Sequence, residues 1–334
     1  MTKFFCAFIA LLLLFGTNGI AQTQQFYSFE KSITLPGEGG YDYLFIDQPN
    51  NKLYVSHGTA VHVIDLKSEK LVGSIMSMQG NHGTAVATGS GKGFISDGKE
   101  NAVVVFDIAT LKTISIIPLT GKKPDAIIYD QFSNRIFTFN GGSDNSSVID
   151  VNSLKEIGLI ALNGAPEYAV ADGKGKMYIN LEDKNMLKVI DTKLMTAVAA
   201  YSLAPCGGPT GMAIDTINKR IFTACRENKG MSVINMATGK IICTVPIGAG
   251  VDAVVYDSVT KLVICSNGDG TTTIIRQQTA DKYVVVQTLV TQIRAKTLAL
   301  NTSNHKIYLS VVDFVPGTKT VVAGSFKVLV FKMN

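Results

Sequence analysis

One short pattern returns along this chain at nearly constant intervals, and it limits the fold more than any other feature. A few apolar residues lead to an Asp, then to a polar turn and a second apolar run. The copies are Tyr43–Asp47, Ala126–Asp130, Tyr168–Asp172, Gly211–Asp215 and Ala253–Asp257. Thr297–Asn301 ends in Asn, and Thr84–Thr88 is a weaker copy. The closing residues 47, 88, 130, 172, 215, 257 and 301 are spaced by 41 to 44. A fixed period of this size marks an array of identical supersecondary units.

Each unit is itself regular. After the Asp comes a turn rich in Asn, Gly, Ser and Lys, such as Gln48-Pro49-Asn50-Asn51-Lys52. Asp and Asn suit that place because their side chains bond the backbone two residues on. A second strand follows, as in Leu53–Ser56, Arg135–Thr138 and Met177–Asn180. A third often ends in Asp, as in Val61–Asp65, Val103–Asp107 and Leu187–Asp191, and a looser fourth is outermost. Runs of four to six residues rich in Val, Ile, Tyr and Phe dominate, and no helical period is sustained after the first residues. The expectation is an all-β chain: a seven-bladed β-propeller with four-stranded antiparallel blades. One blade cannot bury both of its apolar faces, so blades must pack around an axis. The last unit lacks a fourth strand, while Tyr27–Leu35 is spare, so the N-terminal strand is expected to close the last blade.

Leu53-Tyr54-Val55-Ser56 with Val61–Asp65, and Met177-Tyr178-Ile179-Asn180 with Val189–Thr192, resemble the YVTN family of β-propeller repeats, as in YncE-like proteins. The junctions Lys123-Pro124-Asp125, Ala165-Pro166-Glu167 and Gly208-Pro209-Thr210 resemble it too. The resemblance covers nearly the whole chain after the leader and implies the fold. It leaves function open, because the architecture hosts binders, lactonases, quinoproteins and haem-associated proteins. Phe94-Ile95-Ser96 and Val263-Ile264-Cys265 depart from the pattern, and Trp is absent.

Lys3, the apolar run Phe4–Phe15 and the small residues to Ala21 read as a signal peptide over 1–21, leaving 22–334 as the propeller. A retained anchor is the alternative, but the run is short of the roughly 20 residues a span needs. Export to the periplasm or outside the cell is expected. Cys206, Cys225, Cys243 and Cys265 show no CxxC spacing. They read first as small buried strand residues. If one bridge forms, Cys206–Cys225 is the expected pair, since both belong at one end of neighbouring strands. A formal net charge of +5 with interspersed signs demands neither nucleic acid nor an acidic membrane.

Antiparallel hairpins place the Asp turns on one rim, and the blade junctions with the second-to-third strand loops on the other. Ligands would meet several blades at that second rim. Its candidate ligand-binding residues are Asp42, His57, His82, Asp97, Asp125, Asn140, Glu167, Asn180, Arg226, Asp252, Asn267 and Arg294. Oxygens of Asp42, Asp125, Glu167, Asn140 and Asn180 suit Ca²⁺, against the plainer reading of a hydrated channel lining. His57 and His82, on adjacent blades, are too few for a metal site alone. The recurring Asp47, Asp130, Asp172, Asp215 and Asp257 read as turn caps, because a catalytic pair would not recur in each blade. GxSxG, HExxH and P-loop motifs are absent. No cofactor is required, the metal is unknown, and a monomer is expected. The expected function is binding of an unknown small molecule, peptide or protein at the rim. The alternatives are a metal-dependent lactonase at the channel mouth and a weak single-stranded DNA binder using Lys122, Lys123, Arg226, Arg294 and Lys296. Asp42, Asp125, Glu167 and Asp252 on the same rim disfavour nucleic acid.

Overall fold

In the computed structural model, which describes Met1 and residues 25–334, the chain forms seven four-stranded antiparallel sheets. The leader expected over 1–21 lies, beyond Met1, outside the described residues. The inner strands are Tyr41–Asp47, Asn81–Ala87, Pro124–Asp130, Pro166–Ala171, Pro209–Asp215, Val251–Asp257 and Leu298–Asn301. Each touches the next, and the last returns to the first, so the sheets are blades of a closed propeller. The only helical element among the described residues is one 3₁₀ turn, Glu182–Lys184. None is long and apolar enough to cross a membrane as a helix.

The seventh blade is built from both chain ends. Its order is Tyr27–Thr34, Lys327–Met333, Lys306–Val311 and Leu298–Asn301. The outermost strand runs from Tyr27 opposite Met333 to Thr34 opposite Lys327. Gln287 of blade 6 fastens it further: its Oε1 accepts the Phe26 and Tyr27 N–H groups, and its Nε2 donates to the Tyr27 carbonyl.

The core lies between blades, because second and third strands are buried on both faces while outer strands alternate with solvent. Blade 1 meets blade 2 through Tyr54, Val61, Val63, Val86, Ile95, Val104 and Phe106. Each such side chain contributes about 1.5–3 kcal/mol by leaving water. The Asp turns act as expected. Asp47 accepts from the Asn50 backbone and side chain, Asp130 from Ser133, Asp172 from Lys174 and Lys176, and Asp215 from Asn218.

Two cysteines depart from the buried-thiol reading: Cys206 is joined to Cys225. The bond ties the entry to blade 5 to the end of its second strand, Arg220–Cys225. Cys243 and Cys265 are free thiols, and Cys265 is buried.

Candidate functional site

The inner strands are irregular at one place. In blades 1 to 6 the register with the second strand slips near the strand start: between Tyr41 and Leu44, Asn81 and Thr84, Pro124 and Ile127, Pro166 and Ala169, Pro209 and Met212, and Val251 and Ala253. A bulge re-aims the side chain it carries. Here it does so around the axis, and the second residue of each inner strand forms a ring: Asp42, His82, Asp125, Glu167, Thr210 and Asp252. Lys296 takes the matching place in blade 7, two residues before the Leu298–Leu309 pair, as Asp42 stands before Leu44–Val55.

Buried side chains behind the ring fix it. The Ser56 hydroxyl donates to the His82 carbonyl at 2.5 Å, and Ser96 to the Asp125 carbonyl at 2.5 Å. The Asn180 amide donates to the Thr210 carbonyl at 2.6 Å, and Ser266 donates to the Lys296 carbonyl. Each bond crosses from one blade to the next, so ring positions and blade packing are set together.

The ring has two electrostatic halves. On one side His82 Nδ1 lies 2.6 Å from Asp42 Oδ2 and 3.6 Å from Asp125 Oδ1. Asp125 Oδ1 is buried with no hydrogen-bond donor. Burial, then the Asp42 charge, push the Asp125 carboxyl up to about 6, against the pull of His82 and Lys123. For His82, burial pulls downward, but the Asp42 hydrogen bond with the Asp125 and Asp42 charges wins and raises its pKa. On the other side Arg226 donates to Glu182 and to Asp252, both at 2.6 Å, and stands 3.5 Å from Glu167. Lys296 pairs with the other oxygen of Asp252 at 2.5 Å. Glu167 is raised to about 8 by burial, then by Glu182, Asp125 and Asp252, with Arg226 opposing.

Beneath the ring the channel is stoppered. The next inner-strand residues are Tyr43, Gly83, Ala126, Tyr168, Gly211, Ala253 and Thr297. Tyr43 crosses from blade 1 to blade 4, where its hydroxyl reaches the Glu167 carbonyl at 3.4 Å and its ring meets Tyr168 at 5.6 Å. Glycine is required at position 211 because the inner strands of blades 5 and 6 approach closely there: a Cβ would meet the Asp252 carbonyl oxygen at 2.5 Å. The site is therefore a cup with an aromatic floor. A cavity of about 700 Å³ opens over Asp42 and His82.

Not all expected rim residues reach this cup. Asp42, His82, Asp125, Glu167, Arg226 and Asp252 do. His57 does not approach His82. Its ring stacks 3.7 Å from Phe326 and lies beside His62. Asp97 is occupied by the Gln79 and Gly80 N–H groups. Asn140 donates to Asn145 and Ser147, and Asn267 to Thr271 and Thr273, each inside its own blade. Asn180 lies buried behind Thr210. Arg294 stands to one side, 4.4 Å over the Phe314 ring. The Ca²⁺ set with Asn140 and Asn180 is thus not assembled. Asp42, His82 and Asp125 can offer one atom each to a single ion, all within 4.8 Å of one another. A set containing an imidazole suits a transition metal better than Ca²⁺. Tyr43 and Tyr168 escaped the sequence reading because they sit inside apolar runs.

No family model matches the chain, and no curated protein matches it. Among solved structures it is similar to a chain of a crystal structure of the mitotic checkpoint complex. The TM-score is 0.75 at 12% identity, over 99% of each chain. The likeness is one of fold.

Proposed function

We propose that the chain is an exported binding propeller that takes a small cationic ligand, a divalent metal ion or an organic cation, in the cup at its channel mouth. The repeat's resemblance to YVTN propellers supports the architecture. The leader-like residues and the Cys206–Cys225 bond, a linkage favoured in oxidising compartments, support export. The single observation that carries the ligand class is the ring itself. Each of the seven blades sends one residue to the channel mouth, and five carboxyl groups gather there, Asp42, Asp125, Glu167, Glu182 and Asp252, beside Arg226, Lys296, Lys123 and His82. Acids are held together until burial and mutual repulsion push Asp125 and Glu167 toward their neutral forms. A bound cation removes that repulsion.

The test is thermal unfolding and native mass spectrometry of the full chain with Mn²⁺, Zn²⁺, Ca²⁺ and spermidine. A saturable rise in Tm that Asp42→Asn with Asp125→Asn removes is expected. No adduct and no shift with any cation would refute the reading. A metal-dependent hydrolase is the second reading, favoured by the Asp42–His82–Asp125 set, of which Asp42 and His82 line the cavity. Turnover of a lactone panel, abolished by chelator, would establish it.

A further inference from the structure

Beside the cup, the seventh blade carries something the others lack. Its second-to-third strand loop spans 312–326, whereas the corresponding loops span 58–59, 98–101, 141–144, 182–185, 226–229 and 268–270. Long loops on a rigid scaffold are where binding surfaces concentrate. This one is held by its own contacts. Phe314 bridges Val321, the Val322 N–H donates to the Asp313 carbonyl at 2.9 Å, and Asp313 is clamped by Lys327 and Gln292. It stands as a flap over the segment Gly37–Tyr41, and the two enclose a groove of about 720 Å³.

The groove's walls are apolar: Tyr41, Val312, Phe314 and Phe326, with Val321 and Val322 at 46% and 40% exposure. Its charge is opposite to that of the cup. Arg294, Lys296 and Lys319 line it against the single acid Glu38. Lys296 is already paired to Asp252, but among the described residues neither Arg294 nor Lys319 has a carboxylate within ion-pair distance.

The backbone fixes where Arg294 stands. It lies two residues before the ring position, and φ there is +70°. At the same place blades 5 and 6 use Gly208 and Gly250, with φ of +58° and +69°. That conformation disfavours residues with a Cβ. Blade 3 places Lys123 there with φ of +54°, and blade 7 places Arg294. Its carbonyl accepts from Tyr41 at 3.0 Å, and its guanidinium lies 4.4 Å over Phe314 at the groove wall.

We infer that this groove binds a small amphipathic anion, a flat aromatic body carrying one carboxylate or sulfonate. The rings of Tyr41 and Phe314 with the exposed Val321 and Val322 take the body, over a base made by the buried Phe326, and Arg294 with Lys319 takes the charge. The inference goes beyond the cup reading and stands apart from it, because the two ligands have opposite charge.

The probes are 8-anilinonaphthalene-1-sulfonate and its uncharged analogue N-phenyl-1-naphthylamine, titrated into the full folded chain with chelator present. One saturable sulfonate site is expected, at least tenfold tighter than the neutral probe. Arg294→Gly should lower sulfonate affinity about tenfold and leave the neutral probe unchanged, with Tm equal or higher because glycine suits that backbone. Lys319→Ala, on the exposed flap, should weaken the sulfonate alone. Val321→Asp should weaken both probes. No saturable sulfonate binding, equal loss of both probes in Arg294→Gly, or insensitivity to Val321→Asp would overturn the inference. A cation response in the cup neither rescues nor removes it, so the two readings fail separately.

Discussion

Glu167 shows how one side chain records its surroundings. Its folded pKa of about 8 stands above the ordinary value of 4.5, with burial the first cause and neighbouring acids the next. The folded state therefore holds a proton that the unfolded chain releases. Stability from this group is full below about pH 4.5, falls as pH rises toward 8, and is level above it. His82 and Asp125 are also raised and act in the same direction. Glu167→Gln should flatten the decline without abolishing it. It should be more stable than the parent at pH 8, on the order of 1–2 kcal/mol for a mostly buried carboxyl. Denaturant titrations at pH 5, 6.5 and 8 check this, and a parallel decline in the variant would contradict it. The loose 3.5 Å approach of Arg226 to Glu167, beside its 2.6 Å bonds to Glu182 and Asp252, fits a carboxyl that keeps its proton.

At the scale of elements, the bulged inner strand is the unit that converts a repeat into a site. Gly83 and Gly211 let neighbouring inner strands approach at the bulge, and a side chain there meets backbone. Gly211→Val should cost more than about 2 kcal/mol through overpacking, seen as a lower Tm. Val at Gly89, which has open space around it, lacks that clash but carries φ of +84°, so its cost is that of backbone strain alone. The disulfide braces the hairpin that presents Arg226, because Cys225 directly precedes it and the bond closes a separation of 19 residues. Replacing both cysteines by Ser should lower stability by about 3 kcal/mol, measured by denaturant unfolding against the oxidised parent. Strands, turns and blade count were legible because a period near 42 residues repeats the same physical demand, and the turn Asp residues followed from their own chemistry. The cup was half legible. The ring acids lie at equivalent places in the repeat, so the rim assignment found them. Asn140, Asn180 and Asn267 misled, because a polar residue at a strand end can serve the backbone as readily as a ligand. The tyrosine floor was hidden, since Tyr43 and Tyr168 look like ordinary strand residues until the ring closes and brings blade 1 opposite blade 4.

At the scale of the molecule, the blades bury their faces only against one another, so the ring must close to be stable. The strand Tyr27–Thr34 supplies the closing edge. A chain lacking residues 25–34 should lose cooperative unfolding and associate through the bared strand Lys327–Met333, read by calorimetry and size-exclusion chromatography. Retention of a single sharp transition in a monomer would contradict this.

Such a chain remains an open arc until the strand Lys327–Met333 is in place. The opening strand has no sheet to join before then, and a product that stops short keeps a raw edge that proteases and other chains can seize. Docking of the first strand is thereby tied to the presence of the last one, across the whole ring.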